Sequence, residues 1–197
     1  MTLPNTNEHG ISGAKDSGVN ICEKSFFAGF GGQGIISLGQ IWVYFAMQEG
    51  KNVTFFPFYG AEKRGGIARA SVIVSDDEID SPLVTVPDSV LVMNSDSLPL
   101  CEGMLKPGGL MLINSTLVKE SPKRNDISVA AVEASGIAEK VGQILFANMV
   151  ALGALARLTG ALKLADIEGV LKKFFPPDKH KFVPMNAEAI RAGFEAV

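Results

Sequence analysis

The sequence predicts an α/β fold, a three-layer α/β/α sandwich around a mostly parallel, Rossmann-like sheet. Two observations point there. Short apolar runs without clean polar alternation recur between helical patterns, as strands buried on both faces do. A glycine-rich turn, Gly29-Phe30-Gly31-Gly32-Gln33-Gly34, also stands directly between the apolar run Phe26-Phe27-Ala28 and a long helical pattern. The 197 residues, 47% of them hydrophobic, are enough for one well-buried core.

Residues 1–20, rich in Asn, Gly, Ser and charge, read as a flexible N-terminal tail, and residues 21–197 as a single α/β domain. A strand is expected over 24–28. A helix follows over 33–49, where Ile35, Leu38, Trp42 and Phe45 recur at three and four residues, and Gly50 ends it. The next strands are expected over 52–56 and 67–74, with the turn Asp76-Asp77-Glu78 beyond. Further strands fall at 89–93, 110–114 and 127–130, the second introduced by Lys106-Pro107-Gly108-Gly109. Helical patterns cover 98–105, 131–140, 144–159, 164–173 and 186–197.

Composition excludes several functions. A net charge of −3 with 20% charged residues suggests no nucleic-acid surface. No run approaches the ~20 apolar residues of a membrane span, and the start of the chain is polar where a secretory signal has an apolar core, so a cytoplasmic protein is expected. Cys22 and Cys101 stand far apart without CxxC spacing, which encodes neither a disulfide framework nor an iron–sulfur cluster. Both read as small buried or half-buried apolar residues. With only His9 and His180 as imidazoles, neither a zinc site nor a Ser–His–Asp relay is expected.

The glycine turn satisfies G-x-G-x-x-G through Gly29, Gly31 and Gly34. Such a turn leaves amides at a helix N-terminus unpaired and aims the positive end of the helix dipole outward, which suits an anion. A dinucleotide site also needs an acid at the tip of the second strand, about 20 residues on. None is present: Asn52-Val53-Thr54-Phe55-Phe56-Pro57 runs into Phe58-Tyr59-Gly60, and Glu49 belongs to the preceding helix end.

The second unusual segment is Tyr59-Gly60-Ala61-Glu62-Lys63-Arg64-Gly65-Gly66, which crowds glycines, two cations, a carboxylate and a tyrosine together. In a parallel sheet, ligands gather at the carboxyl ends of strands, and both segments leave from that edge. Arg64 offers a planar fork for phosphate or carboxylate and Lys63 a point charge. Plainer roles stand beside these. The glycines also serve close packing of helix on strand, Lys63 and Arg64 also read as solvated charges near Glu62, and Tyr59 also reads as a core-rim aromatic. Asn148, opening an apolar helix with Met149, Leu152 and Leu155, reads as a buried anchor or cap.

Three ordered blocks carry a resemblance. Phe27 through Gly34, then Tyr59 through Gly66 before Ala70-Ser71-Val72-Ile73, then Asn148-Met149-Val150-Ala151-Leu152-Gly153-Ala154 resemble the gamma subunit of 2-oxoacid:ferredoxin oxidoreductases, from about residue 22 to the C-terminus. Ala61 departs from the family's frequent proline, which touches loop stiffness more than chemistry. The resemblance implies a complex that oxidatively decarboxylates a 2-oxoacid, 2-oxoglutarate or a similar acid, to an acyl-CoA, with electrons passing to ferredoxin. It implies thiamine diphosphate and Mg on alpha and beta subunits, and iron–sulfur clusters on beta or a ferredoxin-like delta subunit. This chain is expected to bind no cofactor alone, to supply no catalytic residue and no metal ligand, and to be inactive in isolation. Gly29, Gly31, Gly32, Gln33, Gly34, Tyr59, Lys63 and Arg64 are the expected contacts to coenzyme A or to a partner subunit. Other readings stay open: the small subunit of indolepyruvate:ferredoxin oxidoreductase, a free-standing nucleotide-binding α/β protein, and a purely structural module.

Overall fold

The computed structural model describes residues 20–58 and 66–197. The strands are β1 (Cys22–Phe30), β2 (Asn52–Phe58), β3 (Ile67–Ser75), β4 (Ser89–Val92), β5 (Leu110–Asn114) and β6 (Ser128–Val132). The helices are α1 (Ile35–Gln48), α2 (Leu98–Met104), α3 (Ala134–Val141), α4 (Ala147–Thr159), α5 (Ile167–Phe174) and α6 (Val183–Glu195). The six strands lie in the order β2-β3-β1-β4-β5-β6. β1, β4, β5 and β6 run parallel, and β3 runs antiparallel to both β1 and β2.

Period-two alternation divides the side chains between the two faces. Phe27, Leu91 and Leu112 turn to the face covered by α1 and α4, while Phe26, Val90, Val92, Met111 and Ile113 turn to the face where α2 sets Leu98 and Cys101. The layers are unequal, because the second face carries a single seven-residue helix and residues 115–127 join β5 to β6 without one. On the thicker side α4 is buried from Ala147 to Ala156. It crosses α6 backbone to backbone at two glycines: a Cβ on Gly153 would fall 1.9 Å from the Ile190 carbonyl, and one on Gly193 at 1.9 Å from that of Val150.

Helix α1 stops where the sequence says. Gly50 takes φ 75°, Gly50 N–H donates to Met47 O and Lys51 N–H to Ala46 O, closing the last carbonyls in a Schellman turn. Several boundaries are corrections. The helix expected from 144 opens with a 3-10 turn, Ile144–Phe146, and becomes α-helical at Ala147. The last helix begins at Val183, since Pro184 suits a first turn whose N–H has no partner. β6 runs on to Val132, because Ala131 and Val132 pair with Ile113 and Asn114, so α3 starts at Ala134 rather than 131. Nor is β6 buried on both faces: as an edge strand it leaves Ser128, Val129 and Ala131 exposed. Cys22 is exposed, contrary to the expectation, because it opens β1 at the sheet's rim, whereas Cys101 is buried.

Candidate functional site

From β1 the chain passes through α1 to β2 on one side, and from β4 through α2 to β5 on the other. The connections therefore diverge between β1 and β4, and the crevice at their carboxyl ends is the switch point where parallel sheets bind ligands. The glycine turn sits at this crevice. Its shape is held by Gln33, whose Oε1 accepts the Phe30 N–H at 2.6 Å and whose Nε2 donates to Met93 O at 3.1 Å. Gln33 thus staples the end of β1 to the end of β4, and both its amide atoms are committed inside the chain.

The four glycines have different causes. A Cβ on Gly29 would meet Gln33, Ile35 and Met93 within 2.7 to 2.9 Å. Gly34, at φ 73°, caps α1 and lies against Asn148, whose Nδ2 donates to Gly34 O at 3.2 Å. Asn148 is therefore a buried anchor between α4 and the turn. Gly32 needs its positive φ of 97°, while Gly31 does not take a left-handed φ, and among the described residues a Cβ on it would find only Gly66 O at 3.6 Å. No other described residue crowds the outer faces of Gly31 and Gly32. Gly31 N–H donates to Gly66 O at 3.0 Å, so the end of the 59–66 loop lies against the turn. Tyr59, Lys63 and Arg64 fall outside the described residues.

Among the described residues nothing accepts from the amides of Gly32 and Gly34, and no side chain caps α1. Beside them lies a cavity of about 170 Å³, walled by Met93, Leu117, Ile144 and Leu145, with Ser135 at its base. The Ser135 hydroxyl accepts from buried Asn114 Nδ2 at 3.0 Å, which leaves its own proton free to donate. Sequence reasoning missed Leu117, Ser135, Ile144 and Leu145. The Gly142-Gln143-Ile144-Leu145-Phe146 run carries one signal, a glycine before consecutive large apolar residues, and the sequence places the start of a helix at 144.

A larger open groove of about 640 Å³ lies between α2 and the β5–β6 connection, lined at one end by Ser95 and Asp96, which follow β4. Two of its charged side chains are bonded within the fold. Glu102 accepts the backbone N–H groups of Lys123 and Arg124, and Arg124 donates to Leu105 O at 2.6 Å and to Asp126. Glu49 is likewise occupied, accepting from Lys163 N at 2.7 Å and Leu164 N at 3.2 Å, which suits its exclusion as a ribose ligand. Burial pushes the Cys101 thiol up to about 12, against the opposing Arg69 guanidinium, so it stays protonated. Among the described residues no three His, Cys, Asp or Glu side chains gather to hold a metal ion, and no helix is long and apolar enough to cross a membrane.

Residues 24–196 match the family described as pyruvate ferredoxin/flavodoxin oxidoreductase. The 2-oxoglutarate synthase subunit KorC of Methanothermobacter marburgensis is 36% identical over 177 residues, 86% of this chain and 94% of that protein. The ketoisovalerate oxidoreductase subunit VorA of Methanothermobacter thermautotrophicus is 35% identical over 170 residues, but this chain spans only 35% of its length. Among solved structures, the gamma subunit of a keto/oxoacid ferredoxin oxidoreductase from Geobacter sulfurreducens superposes with a TM-score of 0.75 at 32% identity, covering 88% of this chain and 97% of that one. The chain belongs to the pyruvate ferredoxin/flavodoxin oxidoreductase family.

Proposed function

We propose that this chain is the gamma subunit of a cytoplasmic 2-oxoacid:ferredoxin oxidoreductase, in which residues 21–197 act as one domain that completes a coenzyme A path at the interface with the alpha and beta subunits. The complex oxidises a 2-oxoacid to an acyl-CoA and carbon dioxide and passes the electrons to ferredoxin. Thiamine diphosphate, Mg and the iron–sulfur clusters belong to the partner chains. Two cysteines, one exposed and one buried, do not make the four thiolates a cluster takes.

One observation carries the reading. The glycine turn lies at the switch crevice; among the described residues nothing crowds Gly31 and Gly32 and nothing accepts from two of its amides, and Gly66, next in sequence after the segment that bears Lys63 and Arg64, is bonded to it. Amides at a helix N-terminus together with a guanidinium suit phosphate groups. The adjoining cavity of about 170 Å³ is well below the ~300 to 1,000 Å³ of a small-molecule pocket, so this chain supplies one wall of a site that a partner closes. In that site the turn binds and orients, Gln33 keeps the turn in shape, and the apolar walls exclude water.

The test is reconstitution. Purified with its native partners, the chain is expected in a complex that reduces viologen in the presence of coenzyme A and a 2-oxoacid, 2-oxoglutarate being the first to try. Arg64→Ala is expected to raise the apparent KM for coenzyme A in that complex. An unchanged KM with intact assembly rejects Arg64 as a coenzyme contact, and recovery of the chain alone, without such activity, rejects the function.

A further inference from the structure

The two outer strands of the sheet are built differently. β2 carries Pro57, which has no N–H to offer a neighbouring strand and so blunts that edge. β6, Ser128-Val129-Ala130-Ala131-Val132, has neither a proline nor a charge, the devices that keep an open edge from pairing. Val129 is 49% exposed, and Ala131 is exposed on the same face. Among the described residues no strand lies beyond β6.

Two hydrogen bonds fix which backbone groups of β6 are open. Ser128 N–H donates to Gly109 O at 2.8 Å, and Val132 O accepts from Ser115 N–H at 2.9 Å, both on the side paired with β5. The N–H and C=O of one strand residue point the same way, and the direction alternates along the strand. Ser128, Ala130 and Val132 therefore bond toward β5, while Val129 and Ala131 turn their N–H and C=O groups outward. These outward groups form a self-matching set. A two-fold axis at Ala130 runs a second β6 antiparallel to the first, with Val129 opposite Ala131 of the second copy and the reverse. Both are then pairs that exchange two hydrogen bonds, so every outward group of these residues is used. Valine meets alanine rather than valine. Continuing the register sets Ile127 against Glu133 and Asp126 against Ala134, with no like charges opposed. We propose that the β6 edge pairs with a second copy of this chain, joining two six-stranded sheets into one continuous sheet. A contact one strand wide is narrow, so the dimer is concentration-dependent rather than obligate. β5 separates β6 from the strands β1 and β4 that form the crevice, and the pairing stands apart from the proposed function.

The test reads both mass and register on the full chain. Sedimentation velocity of the unaltered chain is expected to show a dimer that dissociates on dilution. Val129→Lys puts on the strand the residue that open edges use against pairing, at a half-exposed position, and is expected to raise the dissociation constant at least ten-fold, about 1.4 kcal/mol, at an unchanged melting temperature. Ala131→Pro removes an outward N–H and no bond to β5, and is expected to do the same. For the register, a Cys22→Ser background removes the exposed native thiol. Ala130→Cys in that background sets two thiols across the axis, in a pair whose α-carbons stand about 4.5 Å apart, within the ~4.4 to 6.8 Å that a disulfide spans. Oxidation by diamide is expected to link these copies about ten-fold or more faster than those of Val129→Cys, whose thiols lie off the axis. A chain that sediments as a monomer at every concentration overturns the proposal. So does a dimer that both Val129→Lys and Ala131→Pro leave intact, or one in which Ala130→Cys links no faster than Val129→Cys, since another surface then joins the copies.

Discussion

Replacing Gly34 and Gly31 one at a time separates the glycines that build the turn from those that face outward. An alanine at Gly34 must hold a left-handed φ of 73°, and its Cβ would fall 2.3 Å from Asn148 Nδ2. The backbone penalty is about 1 kcal/mol. Displacing Asn148 breaks its bond to Gly34 O and leaves a buried amide unpaired, about 2 kcal/mol more. At ~2 to 4 °C per kcal/mol for a domain of this size, the melting temperature of the isolated chain falls by about 6 to 12 °C. Among the described residues an alanine at Gly31 meets only Gly66 O at 3.6 Å, an ordinary contact, at a φ outside the left-handed region. It narrows the unfolded ensemble, worth at most about 1 kcal/mol of stability, so melting stays level or rises by a few degrees. Thermal unfolding followed by circular dichroism reads both. In the complex proposed above the order is expected to reverse, because a Gly31 methyl would stand on the face proposed for coenzyme A or the partner. A Gly31→Ala chain that melts well below the unaltered one, or a Gly34→Ala chain that melts with it, refutes this account of the turn.

Two more outcomes follow from the fold. The Glu23 carboxyl is held above its ordinary range first by burial and then by neighbouring Asp88, with hydrogen bonds from Ser89 and Ser25 opposing. The folded chain therefore keeps this proton to a higher pH than the unfolded one, so stability falls as pH rises through that window and stays lower above it. Glu23→Gln is expected to melt above the unaltered chain at about pH 7, with the gap closing near pH 4; a lower melting point at about pH 7 refutes the sign. At the helix crossing, Gly153→Ala sets a methyl 1.9 Å from Ile190 O and forces α4 from α6. The overpacking costs about 3 kcal/mol or more, which lowers melting at least as far as Gly34→Ala does; a chain that melts normally refutes the close crossing.

What the sequence made legible followed from local rules. The strand at 110–114 was read with the bounds that the structure shows, and α1 was read to within two residues at its start, because turn glycines and apolar spacing punctuate both. The unequal layers were not legible, since nothing local distinguishes the connection over 115–127 from one that forms a helix. Ile144 and Leu145 open the helical pattern over 144–159, and hydrophobicity alone does not say that both stand exposed. Gln33 was read as a ligand contact. Its bond to Met93 spans 60 residues and that of Asn148 to Gly34 spans 114, so neither has a local signature.

The glycine fingerprint is over-determined by packing, which changes what it can mean. Gly29 is required by Gln33, Ile35 and Met93, and Gly34 by Asn148 and its own φ, so two of the three glycines that satisfy G-x-G-x-x-G would persist in a protein that bound nothing. The information lies in Gly31, the pattern's middle position, which neither backbone conformation nor a close neighbour demands. Three groups outside the described residues are candidates for facing it: a phosphate, a partner's backbone, or the segment 59–65 that precedes its bonding partner Gly66. Coenzyme kinetics of Gly31→Ala in the assembled complex therefore discriminate where the pattern itself does not. A raised KM for coenzyme A with normal assembly points to the phosphate, and lost assembly points to the partner.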